Sequence, residues 1–298
     1  MVRMLDLRRL VILRELKHRG TMSAAARELA YTHSAISQQL AQLERDVGVK
    51  LLERTGRNVR LTPAGDELVR NTEAILSAIE KAEADLATTH QRPQGVVRLA
   101  AFTTISRAII PDALLRLAER YPELQVQVTR ADPEFGITML TSRQVDAVLT
   151  DAYPGVGQAA PAGVTVTTLG TDPVRAYLPP GVRSEGPAGM GSVPWVLEPP
   201  TSAATQWALR VCRERGFDPY VAHTTSDLLF HLRMVEHGLA AAFLPDMVIR
   251  ESGLKLTPSA WLSVGQERTI NLLVREGSEA HPAHVAVREA VMRELGDG

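Results

Sequence analysis

The feature that most constrains this chain is an unbroken amphipathic run from Pro63 to about His90. Leu68, Thr72, Ile75, Ile79, Ala82 and Leu86 follow one another at spacings of 4, 3, 4, 3 and 4, a heptad seam. Arg70, Glu73, Glu80, Lys81 and Asp85 lie off it. A lone helix of this kind leaves isoleucine and leucine in water, so it requires a partner. The simplest partner is its own copy in a second chain, with Leu68, Ile75, Ile79 and Leu86 as the pairing residues; the alternative is packing on its own domain. Arg92-Pro93-Gln94-Gly95 then breaks the helix. The 298 residues thus divide into a head at 1–62, a linker helix at 63–92 and a body at 93–298.

The head reads as three helices and a hairpin. Leu7, Leu10, Val11, Leu13 and Leu16 share one helix face; Gly20 stops that helix and Thr21 can cap the next. The second helix, Ser23 to Leu29, is short and alanine-rich. The third runs from its N-cap Thr32 to about Val47, with Ala35, Ile36, Leu40 and Leu43 inward. Its leading turns present Thr32, His33, Ser34, Ser37 and Gln38, with Gln42 one turn on. A short helix, a tight turn and a second helix polar on its leading face describe a helix-turn-helix. Such side chains can hydrogen-bond base edges in a major groove. Lys50–Arg54 and Asn58–Thr62 then read as two strands around Thr55-Gly56-Arg57, a wing with Arg54 and Arg57 at its tip, suited to phosphate.

Charge agrees with that division. Residues 1–70 hold 13 Lys and Arg against 8 Asp and Glu, whereas the remainder holds 20 against 26. A basic head on an acidic body fits a polyanion-binding module joined to something that binds no polyanion. No stretch approaches the length of a membrane span, and the N-terminus does not read as a secretory signal. One cysteine, Cys212, excludes an internal disulfide or a cysteine-cluster metal site. The expectation is a cytoplasmic protein with no metal and no cofactor.

The run LAYTHSAISQQLAQLERDVGVKLLERTGRNVRLTPAG, Leu29 to Gly65, resembles the signature of the LysR-type transcriptional regulators. His33 stands where Gln is usual and Ala24 where Arg is frequent, so operator preferences do not carry over in detail. The resemblance implies that the linker helix dimerises, into a homodimer or homotetramer. Peroxide-sensing members use a pair of cysteines, which this chain cannot form internally.

In the body, strands and helices alternate: Val96–Ala101, a helix Ile105–Arg120, Leu124–Thr129, a helix Glu134–Ser142, Val145–Thr150, Val164–Leu169, Val174–Leu178, and so on to a last helix, Pro282–Leu295. This predicts mainly parallel sheets flanked by helices. No GxGxxG follows the first strand and there is no phosphate loop. The segments GVVRLAAFTTISRAIIP and GLAAAFLPDMV resemble the effector-binding domain of the same family, an α/β domain of two lobes like a periplasmic binding protein. The resemblance implies one lobe at about 95–170 plus 270–298, a second at about 171–269, and a cleft between them. Ligands of open α/β sheets sit beyond strand C-termini. Those positions are Phe102, Thr103, Thr104 and Asp132 in one lobe, and Thr201, Ser202, Thr205, Thr225, Ser226 and Phe243 in the other. Thr104 and Ser226 are expected also to cap helices. Asp132, Asp151 and Glu198 near the mouth argue against assuming an anionic effector. Cys212 reads as a small buried hydrophobe, and the histidines show no metal-binding spacing.

The reading is therefore an effector-responsive DNA-binding regulator without enzymatic activity, its partners duplex DNA, a small molecule and itself. Two alternatives stay open: an enzyme carrying a DNA-binding head, for which GxSxG and HExxH are missing, and an architectural DNA binder without an effector.

Overall fold

The computed structural model describes residues 5–55, 58–89, 92–157, 161–182, 186–263 and 265–296, with backbone only at Arg54, Thr55 and Asn58. The chain forms two compact units. One comprises the residues up to Leu86 with Arg275–Ser278; the other comprises Ala87–Val274 and the residues from Glu279 on.

The first unit opens with α1 (Leu7–Arg19), capped by the Asp6 carboxylate on the Arg8 N–H and closed by left-handed Gly20. Next come α2 (Met22–Glu28), capped by Thr21, and α3 (His33–Val47), where the Thr32 hydroxyl accepts from the Ala35 N–H at 3.2 Å. Leu10, Leu13, Leu16, Ala25, Ile36, Leu40, Leu43 and Leu51 are its buried core. Each leucine or isoleucine buried there contributes about 1.5–3 kcal/mol. The wing is the antiparallel pair β1 (Leu52–Thr55) and β2 (Asn58–Leu61). Its entry is held by Glu44 of α3, which accepts from the N–H groups of Leu51 and Leu52 and from Lys50 Nζ. Burial opposes ionisation of Glu44, but these bonds outweigh it and hold the carboxyl below its usual range.

The long helix α4 (Pro63–Ala87) buries Gly65, Val69, Thr72, Leu76, Glu80 and Ala84. Glu80 accepts from Arg275 Nε at 2.6 Å. Nearer its middle, Arg14 of α1 donates to Glu73 at 2.7 Å, tying α1 to α4, and also to Glu15 of its own helix at 2.6 Å. The buried stripe lies about a quarter turn from the heptad seam. Thr72 belongs to the stripe: it is buried and its hydroxyl donates to the Leu68 carbonyl, so it is no part of an open seam. The other seam positions stay partly or fully uncovered, Ile75 at 38% and Leu86 at 68% exposure.

The second unit is built on a sheet of order β4-β3-β5-β10-β6-β9. The strands are β3 (Gly95–Ala101), β4 (Leu124–Arg130), β5 (Ala147–Ala152), β6 (Val164–Tyr177), β9 (Ala242–Pro245) and β10 (Glu267–Arg275). Between β6 and β9 lie β7 (Pro194–Leu197) and β8 (Tyr220–Thr224). These two pair in parallel, and β7 also bonds beside β9 through Val196 N–H to the Ala241 carbonyl and Ala241 N–H to the Pro194 carbonyl. Helices α5 (Thr103–Ala108), α6 (Ile110–Arg120) and α11 (Pro282–Gly296) cover one face of β3, β5 and β10; α7 (Pro133–Thr141) covers the other. Around β6, β7 and β9 the cover is α8 (Ala203–Glu214) on one face, with α9 (Leu228–Glu236) and α10 (Asp246–Ser252) on the other.

Three expectations need correction. The predicted helix Ile105–Arg120 is two helices broken at Ile109, because Pro111 lacks the N–H that a continuous helix requires. The strands expected at Val164–Leu169 and Val174–Leu178 are one strand, β6, passing through Gly170–Pro173. Its two ends enter different cores, Leu169 one and Val174 the other. The sheets are mixed rather than mainly parallel: β3 is parallel to β4 and β5, whereas β10 is antiparallel to β5 and β6 to β9. The strand β7 and the helix α10 had no counterpart in the sequence reading. No helix among the described residues is long and apolar enough to cross a membrane.

Candidate functional site

The head presents its polar residues on one surface. Thr32, His33, Ser34, Ser37 and Gln38 are all exposed, while Ile36, Leu40 and Leu43 turn inward. The Thr32 hydroxyl is engaged in capping. Gln42 is engaged as well, donating to Asp46 and accepting from Arg45. Arg54 has a described backbone in β1 and no described side chain; Arg57 lies outside the described residues. Arg27, in the last turn of α2, and Arg60 on β2 are exposed basic residues beyond the expected set.

In the second unit, two adjoining cavities of about 70 and 260 Å³ open between the two halves of the fold. They share Asp132, Pro133, Asp151, Glu198 and Ser226. Phe102, Thr103 and Thr104 line the smaller one, and Thr201 and Ser202 the larger. Apart from Asp151 on β5, these residues stand where β3, β4, β7 and β8 end and the following helices begin. Thr103 accepts from Arg130 Nε at 3.1 Å, and Arg130 also pairs with Asp132 at 2.7 Å. The Ser202 hydroxyl caps α8 on the Thr205 N–H, and the Thr205 hydroxyl donates to the Glu198 carbonyl.

Several expected residues have other duties. Thr104 lines the cavity but does not cap α5, whose N-cap position is Phe102 with no side-chain bond. Ser226 lines it too, while Asp227 caps α9 by accepting from the Leu229 N–H. Thr225 lines neither cavity: its hydroxyl accepts from the Asp227 N–H and its carbonyl from His231 Nε2. Thr205 and Phe243 also lie off both, beside a separate chamber of about 20 Å³. Phe243 is buried in an aromatic cluster, stacked on Trp195 at 5.2 Å and edge-on to Trp207 at 5.1 Å.

The floor of the cleft was not legible. Arg268 is buried beneath Phe102, its guanidinium 5.2 Å from that ring; it donates to Asp172 and, through Nη1, to Asp151 at 3.0 Å. An arginine near the start of β10 carries no motif of its own; its one signal is a charge in a strand mostly apolar at its centre. Burial, then the charge of Asp151, pushes the Glu198 carboxyl up to about 7, against the pull of Arg268. Burial likewise pushes the Cys212 thiol up to about 12, as befits a core residue.

Comparison with known proteins agrees with this arrangement. Residues 7–66 match the family described as bacterial regulatory helix-turn-helix protein, lysR family, and residues 90–296 match the LysR substrate binding domain. The transcriptional dual regulator GltC of Bacillus subtilis is 26% identical over 285 residues, 94% of each chain. A probable hydrogen peroxide-inducible genes activator of Mycobacterium avium is 30% identical over 264 residues, 86% of this chain and 83% of that one. Among solved structures, full-length OxyR from Pseudomonas aeruginosa superposes with a TM-score of 0.63 at 17% identity, over 97% of this chain and 95% of that one. CrgA from Neisseria meningitidis gives 0.56 at 22% identity, over 97% and 98%. The chain belongs to the LysR family of transcriptional regulators, with a helix-turn-helix DNA-binding domain followed by an effector-binding domain.

Proposed function

We propose that this chain controls transcription in the cytoplasm by setting α3 into the major groove of duplex DNA, and that a small molecule in the cleft of the second unit modulates it. The observation that carries the DNA half is the exposure of His33, Ser34, Ser37 and Gln38 on the face of α3 opposite its buried Ile36, Leu40 and Leu43. Gln38 and Ser37 read base edges, with His33 beside them. Arg54 and Arg57 of the wing meet phosphate. The working division is a head at 1–62, a linker helix at 63–92 that pairs two copies, and an effector-binding domain at 93–298. Within that domain the lobes are about 95–170 with 270–298, and about 171–269.

The effector contacts are Phe102, Thr103, Thr104 and Asp132 from one lobe, and Thr201, Ser202 and Ser226 from the other. A ligand that touches both biases their closure. The mechanism calls for no metal and no cofactor. Peroxide response, named for the mycobacterial relative, does not come with the resemblance: Cys212 is the one cysteine, buried and with a raised pKa.

The test begins by selecting bound fragments from random duplex DNA. Affinity is then measured for the selected sequence and for an unrelated one. Gln38→Ala should cost ~1–3 kcal/mol on the selected sequence and little on the other. Arg57→Ala should weaken both and lower the salt slope by about one. Equal losses for Gln38→Ala on both sequences would sink the assignment of α3 as the reading helix.

A further inference from the structure

We propose that the effector is a small cationic amine, its ammonium seated against Glu198 and Asp151. This rests on the reading of the cleft as the effector site and adds the ligand's chemical class. The two cleft cavities and the chamber below them all include Glu198 in their walls, so it stands where they converge. Acidic residues dominate the lining: Asp132, Glu134, Asp151, Glu198, Asp227 and Glu251. Against them stand two arginines, both engaged. Arg268 is held by Asp172 and Asp151, and Arg107 pairs with Glu251 at 2.5 Å. Arg130, which reaches Thr103 at the rim, pairs with Asp132. An entering carboxylate or phosphate would meet no uncommitted cation in this described lining, and would face Glu198 and Asp151. An ammonium would meet the carboxylates of Glu198 and Asp151 as acceptors.

A second observation points to a bound group. The chamber is walled in part by Tyr153, Glu198, Trp207 and His231. Trp207 and His231 are 1% and 2% exposed, yet Trp207 Nε1 and His231 Nδ1 have no hydrogen-bond partner among the described residues. His231 Nε2 faces the Thr225 carbonyl at 2.8 Å, so Nε2 carries the proton and Nδ1 is a bare acceptor. Buried polar groups are rarely left unpaired. At about 20 Å³ the chamber takes one water-sized group. Such a group can accept from Trp207 and donate to His231. It can also receive one of the three ammonium N–H groups while the others go to Glu198 and Asp151. The larger cavity, about 260 Å³, lies near the lower end of small-molecule sites and suits a short-chain metabolite.

The probes are 1-aminobutane and 1,4-diaminobutane, with butanoate and butanedioate as anionic counterparts at equal ionic strength. They are titrated into the full chain with melting temperature and calorimetry as readouts. The amines should raise the Tm and the carboxylates should not. Glu198→Gln should weaken amine binding about ten- to a hundred-fold, the loss of a hydrogen bond to a charged group. If that variant melts early, Asp132→Asn at the rim gives the second reading, a several-fold loss. Amines that bind wild type and both variants equally, or that fail to bind at all, overturn the proposal. Carboxylates that bind, weakened by Thr104→Val and Ser202→Ala, overturn the cation while the cleft stands. A ligand of either charge that is indifferent to those two changes removes the effector from the cleft and overturns both readings.

Discussion

Arg268 donates from Nε and Nη2 to one oxygen of Asp172, at 3.0 and 2.8 Å, and both side chains are buried. The other Asp172 oxygen accepts from the Met247 N–H at 3.1 Å, while Arg268 Nη1 reaches Asp151 at 3.0 Å. One ion pair thus joins β6, β10, β5 and the start of α10 directly under the cleft. Its value is specificity of arrangement more than net stability, because removing two charges from water costs about what their attraction returns.

Breaking that pair from one side is another matter. Arg268→Met leaves Asp172 and Asp151 without their cation in a buried site and should destabilise the chain by about 3–5 kcal/mol. Burial already raises the Asp172 pKa even with Arg268 beside it. Arg268→Met combined with Asp172→Leu should recover part of the loss, since the second change removes the stranded charge. Urea unfolding of the wild type, the single and the double variant decides it. A single variant within about 1 kcal/mol of wild type would show that Arg268 is not the counter-charge of this site.

Glu198 should make stability depend on pH in the range where most carboxylates do not. Its folded pKa of about 7 lies above the ordinary 4.5, so the native state holds the proton where the unfolded chain has lost it. The stabilising contribution is fully present below about pH 4.5 and is lost as pH rises through 7. Glu198→Gln carries no such loss. The variant should therefore melt close to wild type at pH 5 and above it at pH 8. Asp151, Asp132, Arg268 and Asp227 are common to both proteins, so the difference isolates Glu198. Parallel melting curves across pH 5–8 would contradict the raised pKa.

The head and linker were legible because each of their elements is specified locally. Thr32 caps α3, Gly20 closes α1, Ile36, Leu40 and Leu43 give helical period, and Pro63 opens α4. The cleft itself was legible in outline, since strand ends and helix starts can be placed by pattern, and Thr103, Thr104, Asp132, Ser202 and Ser226 all line its cavities. Its floor was not. Arg268, Asp172 and Asp151 lie far apart in sequence and meet only through the order of β5, β10 and β6. Phe243 was misplaced for the same reason: whether a strand-end aromatic faces a cleft or a core depends on Trp195 and Trp207, contributed by other elements.

Gly65, inside the LTPAG run, has a packing reason for being glycine. A Cβ at this position would collide with the Leu51 carbonyl oxygen and press on Leu61 Cβ. That carbonyl also accepts from the Thr62 N–H at 2.9 Å, while the Thr62 hydroxyl caps α4 on the Gly65 N–H at 3.1 Å. Backbone cannot yield as a flexible side chain would, so Gly65→Ala should cost about 1–3 kcal/mol and loosen the joint between wing and helix. Hydrogen exchange at Leu51, Leu52 and Thr62 should speed up in the variant. Unchanged exchange with unchanged Tm would mean the joint accommodates a methyl group.

The assembly prediction turns on which side of α4 is free. Val69, Thr72, Leu76 and Ala84 are buried in the protomer, whereas Leu68, Ile75, Ile79 and Leu86 form a separate apolar line about a quarter turn away. With Ile75 38% and Leu86 68% exposed, that line is not used up by the protomer's own core. A matching line on a second copy would cover it, side by side in the manner of a heptad pair. Ile79→Glu then sets a carboxylate against its twin in a site closed to water and should weaken the pairing by several kcal/mol. A charge on the uncovered line should barely alter the fold of the protomer, so circular dichroism should be preserved while sedimentation shows smaller species. Affinity for paired DNA half-sites should fall more than affinity for a single half-site. An Ile79→Glu protein that sediments like wild type and keeps its affinity for paired half-sites would place the dimer contact on another surface.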